Sequence, residues 1–204
     1  MKFDPEKHHR RSIRLPDYNY AQSGAYFVTI CTHQKQCWFG DIKQGKMQIN
    51  QIGQIVMQEW LKSSEIRQEI ELDEWVLMPN HLHGIVWIKN QAEDQKKGLH
   101  SEGLHSQGLH SQGLRIEKIC LKSRSLGSFI NGFKCSVTRC INRIRNNSDI
   151  PFWQRNYYES VIRDEQHLSN IRQYIYDNPQ NWEHDAENPH NNCEWQTMLI
   201  DVPF

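Results

Sequence analysis

His81 and His83 are separated by one residue in the run His81-Leu82-His83-Gly84-Ile85-Val86-Trp87-Ile88, whose β-branched and aromatic character reads as a strand. Side chains alternate across a strand, so both imidazoles face the same way, roughly 7 Å apart by the strand rise, while Leu82 points oppositely into the core. One divalent ion can sit between two such imidazoles. Two histidines leave a coordination sphere incomplete, so further ligands must come from elsewhere, and a pair of satisfied surface histidines is the plain alternative. Tyr174 and Asn178 lie four residues apart at the end of a helical pattern and are therefore neighbours on one helix face. A phenol there can serve as a nucleophile, and the amide oxygen of Asn178 can complete a metal site. The alternatives are a half-buried packing tyrosine and an asparagine that caps the helix before Pro179. Tyr157 and Tyr158 compete for the nucleophile's role, in an apparent strand beside Trp153.

These residues need a scaffold, and its elements are legible in outline. Residues 26–32 are β-branched and aromatic behind Ser23-Gly24 and read as a strand. Residues 49–61 carry Ile52, Ile55, Val56 and Trp60 near helical spacing. Residues 74–78 read as a strand halted at Pro79, and 81–88 as a central one. In 124–144, Leu126, Phe129, Ile130, Phe133, Val137 and Ile141 fall at three- and four-residue steps, which predicts a helix. Residues 152–162 read as a final strand and 166–176 as a helix, with Leu168, Ile171 and Ile175 inward and Asn178-Pro179 ending it. Strands interleaved with helices predict an α+β fold, an antiparallel sheet with helices packed on it.

The 204 residues suit one domain with a proper core. The chain is read as a single domain over 1–204, with a flexible insertion at 91–114 and a C-terminal tail at 182–204. Within the insertion, Gly-Leu-His-Ser followed by Glu or Gln recurs from Gly98, and a glycine every fifth residue fits neither helix nor strand. A metal-binding tract through His100, His105 and His110 is one reading. The other is a loop lengthened by duplication, favoured because ordering a glycine-rich loop around three ligands is entropically costly. The acidic tail could cover the site, but plain packing is expected.

No stretch approaches the roughly 20 apolar residues of a membrane-spanning helix, and residues 1–14 have no apolar core of a secretory signal. A cytoplasmic protein that does not bind membranes is therefore expected. The six cysteines form no CxxC pair and read as reduced, partly buried thiols. Formal net charge is zero. That argues against indiscriminate nucleic-acid binding, yet the charges segregate. Residues 115–145 hold eight lysines and arginines against Glu117 alone, and Arg10, Arg11 and Arg14 belong to a second basic cluster. Such a field can grip a phosphate backbone locally, although two solvated helix faces would show the same pattern.

Six separated blocks carry a resemblance. They are Arg10-Arg11-Ser12-Ile13-Arg14-Leu15, the strand at 26–32, Met78-Pro79-Asn80-His81-Leu82-His83-Gly84, Gly127-Ser128-Phe129-Ile130-Asn131-Gly132-Phe133-Lys134 with Phe152-Trp153-Gln154-Arg155-Asn156-Tyr157-Tyr158-Glu159, and Tyr174-Ile175-Tyr176-Asp177-Asn178-Pro179. Together they resemble the HUH single-strand endonucleases, and more narrowly the REP-associated tyrosine transposases. The resemblance implies an RRM/ferredoxin-like core and a Mg²⁺ or Mn²⁺ ion held by His81, His83 and Asn178. It also implies Tyr174 as the nucleophile that forms a 5′-phosphotyrosine link, in a bacterial enzyme that nicks and rejoins single-stranded hairpin DNA from palindromic repeats. Lys134, Arg139 and Arg143, with Arg10, Arg11 and Arg14, would then contact the DNA; association with the nucleoid would follow, as a monomer or a homodimer. Two features depart from the family's pattern. The repeat at 98–114 is foreign to it, and Asn178 stands where insertion-sequence relatives have glutamine, one methylene longer.

Three rival readings fit the same residues. A catalytically idle DNA-binding module, kept as a repressor or architectural factor, would bind without nicking. An RNA-binding sheet would need exposed aromatics on its central strands. A metallohydrolase using water would nick without becoming attached to its product.

Overall fold

The computed structural model describes residue 20 and residues 22–89, 124–145 and 150–191. The basic cluster at Arg10, Arg11 and Arg14 and the repeat at 98–114 lie outside the described residues. Strands β1 (Gly24–Cys31), β4 (Ile70–Leu77), β5 (His81–Ile88) and β6 (Tyr158–Ile162) form one sheet in the order β4-β5-β1-β6, with every pairing antiparallel. Helix α1 (Gln51–Ile66) connects β1 to β4, α2 (Leu126–Arg145) lies between β5 and β6, and α3 (Glu165–Asp177) follows β6. Without the additions this is the βαββαβ arrangement of the ferredoxin-like fold, as expected for an α+β chain.

Strand alternation sorts the sheet into two faces. Tyr26, Val28 and Ile30 of β1 and Leu82, Val86 and Ile88 of β5 join Val56 and Trp60 of α1 and the apolar stripe of α2 in the larger core. The opposite face carries Ala25, Phe27 and Ile85, covered by Leu168, Ile171 and Ile175 of α3. His81 and His83 share the parity of Ile85, so they lie on the α3 face, at the end of β5 where α3 finishes. The basic helix α2 is therefore in the other layer.

Three boundaries differ from expectation. Residues 40–49 contain a hairpin, β2 (Gly40–Lys43) with β3 (Lys46–Ile49). Its turn at Gln44-Gly45 has positive φ at both residues, 52° and 70°, a conformation that glycine supplies at its second position. Ile49 consequently closes a strand, and α1 begins after Asn50, whose side chain accepts from the Gly53 N–H. The β4 strand starts at Ile70, four residues earlier than its hydrophobic signal. Finally, Phe152 and Trp153 precede β6 in irregular chain. Their apolarity serves packing, since Phe152 stacks on Trp38 at 4.7 Å and Trp153 meets Phe39 and Phe133, each at 5.7 Å.

Gly84 has a packing reason of its own. A Cβ there would lie 2.8 Å from Cζ2 of fully buried Trp60. Gly84→Ala is expected to lower stability by about 1–3 kcal/mol through overpacking, read as a lower denaturant midpoint at unchanged slope.

Helix α3 is fastened across the sheet by Arg172. Its Nε and Nη2 donate to Asp73 of β4 at 3.0 and 2.6 Å, and Trp87 Nε1 donates to the same carboxylate at 2.9 Å. These hydrogen bonds, led by Arg172, hold the Asp73 carboxyl below its usual range. Because the folded-state value is depressed, the contribution is complete above the unfolded value near pH 4 and is lost as pH falls through the lowered one. Asp73→Asn should cost up to about 1 kcal/mol at neutral pH and should flatten the acid limb of the stability curve.

Candidate active site

The end of β5 is built around two buried imidazoles. Neighbouring strand residues place their Cα atoms far apart, yet the rings lean together, with centroids 4.4 Å apart and the two Nε2 atoms at 3.0 Å. The expected 7 Å spacing thus describes the backbone, and the functional nitrogens converge. Neither histidine is a surface residue, since His81 is fully buried and His83 nearly so.

The proton positions follow from the partners of Asn80. Its Nδ2 donates to the carbonyls of Lys35 and Glu187 at 3.0 and 2.7 Å, which orients the amide and leaves Oδ1 as an acceptor only. That oxygen sits 2.8 Å from His81 Nδ1, so Nδ1 carries the proton and Nε2 presents a lone pair. His83 Nδ1 is 2.8 Å from the Thr29 hydroxyl, its cross-strand neighbour. A hydroxyl can donate or accept, so His83 offers a lone pair at Nε2 when Thr29 accepts and an N–H toward His81 when Thr29 donates. Burial pushes both imidazoles well below the ordinary histidine range, His83 to about 3, so both are neutral near pH 7. Two facing nitrogen lone pairs at 3.0 Å repel unless a proton or a cation lies between them.

A carboxylate completes the cluster. Among the described residues, ligand atoms of His81, His83 and Asp185 lie within 4.8 Å of one another, and Asp185 Oδ2 is 3.8 Å from His81 Nε2. Asp185 follows the 3₁₀ turn Trp182–His184, in the acidic tail expected to pack as plain structure. That segment is held over the histidines by three contacts: Lys35 Nζ to the Ala186 carbonyl at 2.9 Å, Lys35 to the Glu187 carboxylate at 3.3 Å, and the Asn80 bond to Glu187. Spacing offered no signal for Asp185, because residues distant in sequence position it.

Tyr174 and Asn178 arrive from α3 on one helix face, as their spacing implied. The Tyr174 hydroxyl is 3.2 Å from His83 Nε2, and its ring packs edge-on to Phe27 at 6.0 Å. The residue is 43 % exposed, but its hydroxyl is turned inward. Burial and then the nearby Asp185 charge push the phenol well above its ordinary value, while a hydrogen bond from Asn178 opposes them. Asn178 also bonds Asp185, whose carboxyl is raised mainly by burial. The Oδ1 of Asn178 is buried with no hydrogen-bond partner among the described residues. An unpaired buried carbonyl oxygen beside two imidazoles and a carboxylate is a donor set that suits a divalent cation. Tyr157 lies outside β6, whereas Tyr158 pairs with Thr29 and is 37 % exposed.

The basic residues of α2 divide. Lys134 donates to the carbonyls of Gln154 and Asn156 at 2.9 and 2.8 Å, and burial lowers its ammonium to about 8. It anchors the segment leading into β6. Arg139 and Arg143 are exposed.

No protein-family model matches the chain. An uncharacterized protein of Haemophilus influenzae is 42 % identical over 187 residues, covering 90 % of this chain and 96 % of its own length. The chain belongs to the family of that protein. Among solved structures, a REP-associated tyrosine transposase bound to a REP hairpin aligns over 83 % of this chain and 74 % of its own, at 16 % identity and a TM-score of 0.52. A candidate transposase from Deinococcus radiodurans aligns over 81 % of this chain and 97 % of its own, at 14 % identity and a TM-score of 0.38. The fold is therefore that of the hairpin-bound transposase.

Proposed function

We propose that this protein is a tyrosine transposase-like enzyme of the HUH type, which cuts and rejoins single-stranded DNA through a covalent link to Tyr174. The observation that carries the proposal is the convergence of a phenol hydroxyl, two imidazoles with Nε2 atoms 3.0 Å apart, a buried carboxylate and an unpaired amide oxygen at one end of the sheet. His81, His83, Asp185 and Asn178 would hold Mg²⁺ or Mn²⁺, which when bound supplies positive charge to a phosphate and to the departing oxygen.

The chain's own groups do the rest. Tyr174 Oη attacks phosphorus, a P–Oη bond forms, and the bond to the 3′ oxygen breaks, leaving a 5′-phosphotyrosine and a 3′-hydroxyl. Asn178 orients the phenol and stabilises its anion, while Asn80 keeps His81 in the tautomer that leaves its Nε2 free and Thr29 holds the His83 ring in place. Because the phosphotyrosine conserves the bond energy, a 3′-hydroxyl can reverse the step without ATP. Water-based hydrolysis gains no support from Asp185 as a general base, because that carboxylate is tied to the metal-ligating cluster.

Hairpin DNA is the substrate proposed from the fold's likeness to a hairpin-bound structure and from the segregated charge. Since α2 lies behind the sheet, a strand gripped by Arg139 and Arg143 would pass round the β6 edge, past the segment that Lys134 anchors, to reach Tyr174. Arg139→Ala with Arg143→Ala should weaken binding of a hairpin oligonucleotide and reduce the slope of log K against log salt by about 1–2. An unchanged slope would remove α2 from the interface.

The test of the proposed activity is a denaturing gel of end-labelled, single-stranded hairpin DNA incubated with protein and Mn²⁺. A protein-linked band lost with chelator supports the proposal. Nicked DNA with no linked protein indicates water as nucleophile, and binding without either product indicates a module that has ceased to turn over.

A further inference from the structure

Between the α3 face of the sheet and α3 itself lies a cavity of about 440 Å³, lined in part by Thr29, His83, Tyr174 and Asp185 of the site and in part by residues that the chemistry above leaves unused. Phe27 and Tyr158 form its aromatic wall, edge to face at 6.2 Å, and Ile171 closes the side formed by α3. Ser160, His167 and Asn170 supply polar atoms along it. His167, Ile171 and Tyr174 are spaced by four and three residues, so a single helix face runs from this cavity to the nucleophile. Phe27 is also stacked on His83 at 5.4 Å, which makes the aromatic floor continuous with the metal-ligating pair.

We propose that this cavity is a nucleobase subsite, which takes the base of a nucleotide adjoining the scissile phosphate and makes the enzyme selective for it. The inference rests on the reading of Tyr174 as the nucleophile of a single-strand nuclease. Three features select a base over other occupants. The walls are aromatic, and flat π faces stack on them. Among the described residues no lysine or arginine lines the cavity, while Asp185 and Glu187 stand at its site end, so a second phosphate is disfavoured there. His167 Nε2 is buried and has no hydrogen-bond partner among the described residues, which leaves a ring nitrogen to be satisfied by the edge of a ligand. Unpaired polar atoms of this kind are what make a site reject a ligand lacking the complementary group.

The test scans 2-aminopurine, a fluorescent base analogue, through every single-stranded position of a hairpin oligonucleotide bound to the Tyr174→Phe protein, which cannot cut it. One position is expected to be quenched on binding, and an abasic nucleotide there should weaken binding about ten-fold. His167→Ala and Ser160→Ala should erase the preference among the four bases at that position while leaving preferences elsewhere intact. Both substitutions are away from the metal-ligating and nucleophilic atoms, and thermal melting confirms that the variants are folded. Quenching at no position, or base preferences unchanged in both variants, overturns the subsite. These readouts need no cleavage. A cutting enzyme without a quenched position refutes the pocket alone, and a quenched position without any adduct in the native protein refutes the nucleophile alone.

Discussion

Tyr174→Phe is expected to abolish covalent attachment to DNA, by at least about 10³-fold, while hairpin binding stays within about two-fold of the native protein. The substitution deletes one oxygen and leaves the edge contact of the ring with Phe27 in place. Tyr158→Phe, on the neighbouring strand, should keep the adduct, because the hydroxyl that lies 3.2 Å from His83 Nε2 belongs to Tyr174. Persistence of the adduct in the Tyr174 variant would move the nucleophile to another residue.

The second large effect concerns the metal. Mn²⁺ at about a hundred times its dissociation constant should add about 2.7 kcal/mol to stability, which for a domain of this size raises Tm by about 5–10 °C. His83→Ala should remove the shift. Asp185→Asn and Asn178→Ala should each weaken the metal by about 10–100-fold, and so should Asn80→Ala, which touches no metal but sets the proton on His81. An equal shift in the His83 variant would place the ion elsewhere. A shift lost in His83→Ala but unaltered in Asp185→Asn would make Asp185 a cover over the histidines, which is the role its tethered segment also allows.

How much of this was legible beforehand depended on whether local rules governed the residues. His81 and His83 were readable because strand parity alone puts them on one face, and Tyr174 with Asn178 because helix spacing alone makes them neighbours. The antiparallel α+β sheet followed from the same periodicities. Asp185 was hidden because the course of residues 182–188 is set by Lys35 and Asn80, more than a hundred residues earlier in each case but not by any repeat of their own. Asn80 was visible within its motif, but its task as the group that fixes a tautomer emerges only from three simultaneous hydrogen bonds. The β2–β3 hairpin escaped because Gln44-Gly45 is a weaker turn signal than Asn-Gly, and the irregular course of residues 152–157 because the buried aromatic pair Phe152-Trp153 resembles a strand whatever its backbone does. Lys134 shows the limit of counting charge: a lysine in a basic stretch can be occupied by two carbonyls of its own chain.

The central claim is that Tyr174 becomes bonded to the 5′ phosphate of cut DNA, and peptide mapping of the trapped adduct tests it most directly. Native protein is incubated with hairpin DNA and Mn²⁺, digested with nuclease and protease, and the modified peptide is sequenced by mass spectrometry. The account predicts a nucleotide attached to Tyr174 through its 5′ phosphate. A nucleotide on Tyr157 or Tyr158, attachment through a 3′ phosphate, or cut DNA with no modified peptide would contradict it.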